Sequence, residues 1–306
     1  MRIFDRYLRV VLIKQGVTAN ATSPAEFGNY SYTDVLQNQE FIEIPASMRV
    51  DVKIDVASRA GSDSGHVTIW NPNKKTMSFI NSKSGGMIEI FAGYGQWIGL
   101  VYRGNIGGTN IVQVDTDGPD TKIKYSLGSY TDRIASAFFR GSFSGPTYIR
   151  TIIHSALEKN GIPHTGLENI PSITVSNFTW SGKVTELIKT LSDSYGLRNL
   201  GVDIFYEKGN VVVQLSTPNT KTVKVHTISS ETGLIDTPRW SQKNAVRKFK
   251  FKSVVNPELS RGSVVEIFSS KDESVNGQYV VEQIEYDMSN YGGEFQMEVE
   301  CRERTK

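Results

Sequence analysis

The stretch Val202-Asp-Ile-Phe-Tyr-Glu-Lys-Gly-Asn-Val-Val-Val-Gln-Leu215 decides the fold class. Two runs rich in β-branched and aromatic residues flank Glu207-Lys-Gly-Asn210. Gly and Asn tolerate the positive φ of a tight turn, so the stretch predicts a β-hairpin. Just upstream the period changes. Over Lys183–Tyr195, Val184, Leu187, Ile188 and Leu191 recur on one helical face, with Tyr195 a turn further on. Gly196 stands where a helix C-terminus wants a left-handed residue. Downstream the pattern is β again, with an edge strand expected over Lys221–His226. Val246–Ser253 puts Phe249 and Phe251 on one face and Lys248, Lys250 and Lys252 on the other. Ser263–Phe268, Gly277–Tyr286 and Glu294–Arg302 follow as strands. In the last, Phe295, Met297, Val299 and Cys301 oppose Glu294, Gln296, Glu298 and Glu300.

Upstream, Tyr7–Lys14 reads as a first strand, Gly16–Asn38 as a long loop and Phe41–Ile44 as a short strand ended by Pro45. Arg49–Ala57 alternates most cleanly: Val50, Val52, Ile54 and Val56 point one way, Arg49, Asp51, Lys53 and Asp55 the other. His66–Trp70 is a strand stopped by Asn71-Pro72. Asn71 or Asn73 caps a short helix through Met77–Ile80. Met87–Ala92 and Gln96–Arg103 flank the turn Gly93-Tyr-Gly95, and Asn110–Asp115 and Thr121–Leu127 are two more strands. Closely spaced strands of this kind argue for a barrel or sandwich. Thr147–Lys159 then carries Ile149, Ile152, Ile153, Ala156 and Leu157 at helical spacing, closed by Gly161 and Pro163. The fold class is therefore mainly β with a small helical section. The expected division is 1–127 (β), 128–230 (helices and hairpin) and 231–306 (β). No tandem repeat is legible.

The totals exclude several classes. A chain of 306 residues suggests two or three domains. A net charge of +2 gives no global signal for nucleic acid or for acidic substrates. A single cysteine, Cys301, makes an internal disulfide impossible and supplies no thiolate cluster for zinc. No apolar run reaches the ~18 residues of a membrane span, and the charges in Met1-Arg-Ile-Phe-Asp-Arg6 do not suit a signal peptide.

Catalytic signatures are absent. His66, His154, His164 and His226 are scattered, without metal-ligand spacing. The glycines of Arg103-Gly-Asn-Ile-Gly-Gly108 precede no helix and read as a turn rather than a phosphate cradle. Asp115-Thr-Asp-Gly-Pro-Asp120 offers three carboxylates, but its sixth and twelfth positions, Asp120 and Ser126, break the calcium-loop pattern, so a tight turn is the plainer reading. The Lys248, Lys250, Lys252 stripe lacks aromatics on its own face and reads as a solvated face or a protein interface rather than a phosphate contact. No catalytic, cofactor-binding or metal-binding residue is assigned, and no cofactor is expected.

The order of elements from the middle onward resembles the phage tail and baseplate hub family, the relatives of late-control gene D proteins, the VgrG trunk and T4-type hubs. The resemblance rests on Phe138–Gly145 leading into the first helix, Val184-Thr-Glu-Leu-Ile-Lys-Thr-Leu191 with Tyr195-Gly196, and the hairpin Asp203–Leu215. It continues in Glu231-Thr-Gly-Leu-Ile-Asp-Thr-Pro238, with Asp236 where the family has Gly, and in Asn256-Pro257, Arg261-Gly262 and Gly277-Gln-Tyr-Val280. The first hundred residues match less sharply, at Ile69-Trp-Asn71 and in the hairpin ahead of Tyr102-Arg-Gly104. The resemblance implies a virion protein of the tail baseplate, assembled in the host cytoplasm. It implies a homotrimer with two β-barrel-like tube domains per chain, built from discontinuous segments, that make a pseudo-sixfold ring between hexameric tail tube and trimeric central spike. The implied partners are its own copies, the tube and spike proteins and baseplate wedge proteins, with no membrane. Tape-measure protein and DNA would pass through its lumen without specific binding. The chain has no spare segment for a lysozyme or peptidase domain, so no enzymatic activity is expected. The competing readings are a carbohydrate- or receptor-binding β module, with Tyr94, Trp97 and Tyr102 as its platform, and a glycan-degrading tail enzyme.

Overall fold

The computed structural model describes residues 6–14, 41–56, 63–81, 86–95, 97–106, 111–117, 120–129, 134, 136–215, 224–243 and 246–304. The elements run β1 (Arg6–Lys14), β2 (Phe41–Glu43), β3 (Val50–Val56), β4 (Ser64–Trp70), α1 (Lys74–Asn81), β5 (Gly86–Tyr94), β6 (Trp97–Ile106), β7 (Ile111–Asp117) and β8 (Asp120–Ser129). Next come β9 (Phe138–Tyr148), α2 (Ile149–Lys159), β10 (His164–Thr165), β11 (Thr174–Lys183), α3 (Val184–Ser194), β12 (Val202–Glu207) and β13 (Asn210–Leu215). The chain closes with β14 (Val225–Ser229), β15 (Arg239–Lys243), β16 (Val246–Val254), β17 (Val264–Phe268), β18 (Gly277–Ser289) and β19 (Phe295–Glu303). The protein is mostly β, as its alternating sequence predicts. It divides into two compact units: β1–β8 with α1 and β14–β19 in the first, β9–β13 with α2 and α3 in the second.

The first unit is one 14-stranded sheet, in the order β15-β16-β19-β18-β3-β4-β8-β6-β5-β1-β2, with β17 beside β18, β14 beside β17 and β7 beside β8. Strands from both ends of the chain therefore share a sheet. β18 makes the joint. Its first residues pair with β17, and after a bulge between Val281 and Gln283 its second half pairs with β3, Tyr286 opposite Ile54. A bulge re-aims a strand in this way by inserting an unpaired residue. The period of two then holds across β16, β19, β18, β3, β4 and β8. Phe251, Val299, Ile284, Val56, Val67 and Tyr125 all lie in one buried cluster. The alternate residues of the same strands are charged or polar, so this part of the sheet has one apolar and one solvated face.

Three details of this unit refine the sequence reading. The edge strand expected over Lys221–His226 is β14, Val225–Ser229, and it pairs in parallel with β17; residues 221–223 lie outside the described residues. The loop expected over Gly16–Asn38 lies outside them too. Asn73, not Asn71, caps α1, its Oδ1 accepting the Thr76 N–H at 2.8 Å.

The second unit is built on a repeat that the sequence conceals. β9 leads directly into α2 and β11 into α3 through extended residues, Tyr148 (φ −66, ψ 137) and Lys183 (φ −66, ψ 144). In each half the first helical N–H donates to a carbonyl just before the opposite strand, Ile149 to Ile173 at 3.0 Å and Val184 to Ala137 at 2.9 Å. Ile149, Ile152, Ile153 and Ala156 occupy the buried positions held in the other half by Val184, Leu187, Ile188 and Leu191. Both helices end in a left-handed glycine, Gly161 (φ 59) and Gly196 (φ 58), with the same closing bond, Ile162 N to Leu157 O and Leu197 N to Ser192 O. β9 and β11 pair antiparallel, with Phe143 opposite Phe178 at the centre. The two halves share backbone geometry and buried positions but few residue identities. A second, three-stranded sheet, β10-β13-β12, contributes Val202, Val211 and Val213 to the same core.

Candidate functional site: the polar face of the sheet

The solvated face of the six strands carries Lys248 and Lys250 from β16, Glu298 and Glu300 from β19, Glu285 and Asp287 from β18, and Asp51, Lys53 and Asp55 from β3. His66, Thr68 and Trp70 of β4 and Lys122 and Lys124 of β8 complete it. Strand register sets these side chains in rows, such as Lys250 opposite Glu300 and Lys53 between Asp287 and His66.

At the β16–β19 end the charges compensate each other. Lys248 Nζ bonds Glu300 Oε1 and lies 3.6 Å from Glu282, while Lys250 Nζ lies 3.3 Å from Glu298 and 3.4 Å from Glu300. Burial pushes the Glu300 carboxyl up, but the hydrogen bonds and charges of Lys248 and Lys250 outweigh it and hold the group below its ordinary range. Lys248 and Lys250 of the lysine stripe thus belong to an ion-paired ladder. Next to it, Glu285 stands opposite both Glu298 and Asp55, and burial together with these like charges raises its pKa. Gln283 Nε2 bridges the two acids, donating to Asp55 at 2.7 Å and to Glu285 at 3.3 Å.

The β3–β4–β8 end is a groove of about 520 Å³ whose lining includes Trp70, Lys122, Lys124 and the turn residues Tyr291–Glu294. Its floor is fixed by Asp51. That carboxylate accepts the Trp70 indole N–H at 2.7 Å and the Arg49 Nε–H at 3.2 Å. Burial raises the Asp51 pKa, but hydrogen bonds from Ser289, Trp70 and Arg49 win and keep the group ionised. The Arg49 guanidinium lies 4.6 Å from the centre of the Trp70 ring and Lys122 Nζ 5.6 Å from it. Lys53 pairs with Asp287 at 2.9 Å. Burial, then the charges of Lys124 and Lys53, push the His66 pKa below its ordinary value against the opposing pull of Asp287. The sequence could suggest a polar strand face here, but not that Arg49, Asp51 and Trp70 form one node.

The residues singled out from sequence mostly turn out to be structural. Tyr94 and Tyr102 are 4% and 1% exposed, and their hydroxyls donate to the carbonyls of Phe295 and Gly128. Only Trp97, 67% exposed, is at the surface, so the three do not make the aromatic platform expected of a glycan-binding module. Asp117 and Asp120 pair across the β7–β8 turn, whose residues 118 and 119 lie outside the described ones, and Asp120 accepts from Asn71 at 2.8 Å. Gly104 continues β6, with the Tyr102 hydroxyl and the Gly128 carbonyl against its α-carbon, while 107 and 108 lie outside the described residues. His154 meets His164 edge-on with ring centres 5.1 Å apart and lies 3.5 Å from Glu158; His226 is on β14, 3.9 Å from Glu258. No group of three or more His, Cys, Asp or Glu side chains among the described residues is placed to hold a metal ion.

The segments that carry the family resemblance are packing anchors. Gly233 adopts φ 114, and a Cβ there would stand 2.3 Å from a Val254 methyl, so only glycine fits. Ser253 Oγ bonds the Gly233 carbonyl at 3.0 Å. Pro257 packs on Gly99, Gly262 N–H donates to Val281 O at 2.8 Å, and Tyr279 stacks on Phe249 with ring centres 4.0 Å apart.

A family model described as Baseplate hub gp41 matches residues 65–301, well over half of the chain. Among solved structures, the 43 kDa tail protein of prophage MuSo2 from Shewanella oneidensis gives a TM-score of 0.62 at 10% identity, over 97% of each chain. The tail protein from Neisseria meningitidis MC58 gives 0.58 at 11% identity, over 97% of this chain and 96% of that one. The E. coli c3393 protein, a component of the type VI secretion system, gives 0.54 at 8% identity, over 83% of this chain and 72% of that one. At such identities the likeness to these structures is one of fold. No curated protein matches the sequence.

Proposed function

The chain belongs to the baseplate hub gp41 family, and from that premise we propose that it is the ring joining tail tube to spike. As a member of that family it is a structural protein of the phage tail. In the proposed assembly three copies close a ring with pseudo-sixfold character, seated in the virion baseplate. One side of the ring meets the hexameric tube and the other the trimeric central spike, with wedge proteins around it. The protein works by shape and contact, without turnover. Tape-measure protein and DNA pass through the lumen during ejection.

The observation that carries this reading is the family match across residues 65–301. The open-ended sheet supports it, because among the described residues β15 and β2 end its strand order, and sheet edges invite pairing with another copy. The ion-paired ladder fits a passage lining, since compensated charges hold a phosphodiester weakly. Mixing the purified chain with its tube and spike proteins and sizing the complex tests the proposal. The expected product is a ternary particle with three copies of this chain. A complex with two copies, or failure to bind either neighbour, would sink it.

A further inference from the structure

We propose that His154 of α2 and His164 of β10, completed by Glu158, form a binding site for a divalent ion of the zinc class. The argument concerns the second unit alone and holds whether or not the chain closes a ring.

The case begins with how the two imidazoles are placed. His154 follows the buried Ile152 and Ile153 on α2, and 46% of its own side chain is exposed. The helix ends at the left-handed Gly161, and the bond from Ile162 N to Leu157 O fixes the residue after it. His164 is fixed in turn. The Val211 N–H donates to the Pro163 carbonyl at 2.9 Å, and His164 pairs with Val211 of β13. The two rings therefore meet edge-on with their centres 5.1 Å apart. Two imidazoles on one tetrahedral zinc, with Zn–N bonds of about 2.0–2.1 Å, have ring centres about 5.2 Å apart. The pair already has the spacing of a shared ion.

The donor atoms suit a metal as well. His164 Nδ1 lies 3.1 Å from the Ile162 carbonyl. A carbonyl only accepts, so this nitrogen carries the proton and Nε2 keeps its lone pair, the arrangement that orients a ligating histidine. His154 Nε2 lies 3.5 Å from Glu158 Oε1, one helical turn further on. Two ligand atoms on one tetrahedral zinc are about 3.3 Å apart, so this nitrogen and this oxygen can share the ion. No three such side chains are preplaced among the described residues. The histidines supply the standing pair, and Glu158, whose side chain is 65% exposed, joins them by rotating, with water in the fourth position. Nitrogen donors select the ion, because zinc and its neighbours take imidazole whereas magnesium and calcium take oxygen. The bound ion would tie α2 to the sheet β10-β13-β12.

The test is isothermal titration of the full-length, chelator-treated protein with zinc chloride. The expected result is one zinc per chain. His154→Ala and His164→Ala should each weaken binding at least about tenfold, and Glu158→Gln by less. His226→Ala, on β14 in the other unit, should leave zinc affinity unchanged, and magnesium chloride should not bind. Zinc should also raise the Tm of the wild type but not of His154→Ala. Circular dichroism checks that each variant folds; His154→Ala, at an exposed helical position, carries the test even if His164→Ala does not. Absence of zinc binding by the wild type would overturn the proposal, and so would magnesium binding as tight as zinc. Zinc affinity unaltered in His154→Ala would mean an adventitious ion only and would overturn it too.

Discussion

The two ends of the polar face are made of the same residue types and do different things with them. At the β16–β19 end, lysines and glutamates alternate across neighbouring strands and compensate each other. At the β3–β4–β8 end, Asp51 is held by an arginine and an indole, and Asp287 by a lysine. The lesson is that composition does not say how a charged face is satisfied: Lys250 meets Glu300 across the strands, whereas Asp51 is held by Arg49, two residues before it, and by an indole of the next strand.

The shared underside should matter most. Phe249 is fully buried, stacked on Tyr279 and edge-on to Trp240. Phe249→Ala should cost about 3–5 kcal/mol in a urea titration, because it empties aromatic volume beneath the ladder. A loss under 1 kcal/mol would mean that the packing beneath this end is loose.

Breaking the ladder comes next. Glu300→Gln should cost about 1.5–3 kcal/mol at pH 7, as two lysines lose a mostly buried charged acceptor. The Glu300 pKa is lowered on folding, so its contribution is fully present above the ordinary value near 4.5 and is lost as pH falls through the depressed one. The difference between wild type and variant should therefore shrink in acid. A pH-independent difference would show that Glu300 acts by packing rather than by charge.

At the groove end Asp51→Asn should cost less, about 1 kcal/mol, since the remaining oxygen of asparagine still accepts the Trp70 N–H, while the charge facing Arg49 and one acceptor oxygen are lost. Intrinsic fluorescence should report the change through Trp70. A cost larger than that of Glu300→Gln would reverse the ranking of the two ends.

Between the ends, Glu285→Gln should have the smallest effect and the opposite sign. Glu285 faces Asp55 and Glu298, and its pKa is raised, so the strain is present at neutral pH and vanishes as the group protonates. The variant should be more stable at pH 7 by a few tenths of a kcal/mol, because the group is solvent-screened, and no more stable than wild type at pH 4. Destabilisation at pH 7 would show that the Gln283 bridge outweighs the repulsion.

Much of the fold was legible because burial imposes strict periods. Val50, Val52, Ile54 and Val56 alternate with Asp51, Lys53 and Asp55 and do line opposite faces of β3. Val184, Leu187, Ile188 and Leu191 recur at helical spacing and are all buried in α3. The β9–β11 ribbon was not legible. Its strands are full of Ser, Gly and Thr, and the glycines give no alternation, since Gly141 and Gly182 serve as floors for the rings of Phe139 and Trp180. β15 escaped because Arg239-Trp-Ser-Gln-Lys243 is short and mostly polar. The joining of the two β sections in one sheet was hidden because it depends on β18 pairing with β3, a contact of long sequence separation. The groove was hidden for the same reason: Arg49, Trp70, Lys124 and Tyr291 come from four separate segments. The aromatics of the β5–β6 hairpin misled, because sequence gives the presence of Tyr94 and Tyr102 but not their side of the sheet.

The ring is tested most directly by native mass spectrometry of the full-length protein, with negative-stain class averages of the same sample. The account predicts a particle of about 102 kDa, three copies of the 34.1 kDa chain, with a central hole and a six-lobed outline, formed alone or on addition of tube and spike proteins. A dimer, or a compact trimer without a hole, in the presence of those proteins would contradict it.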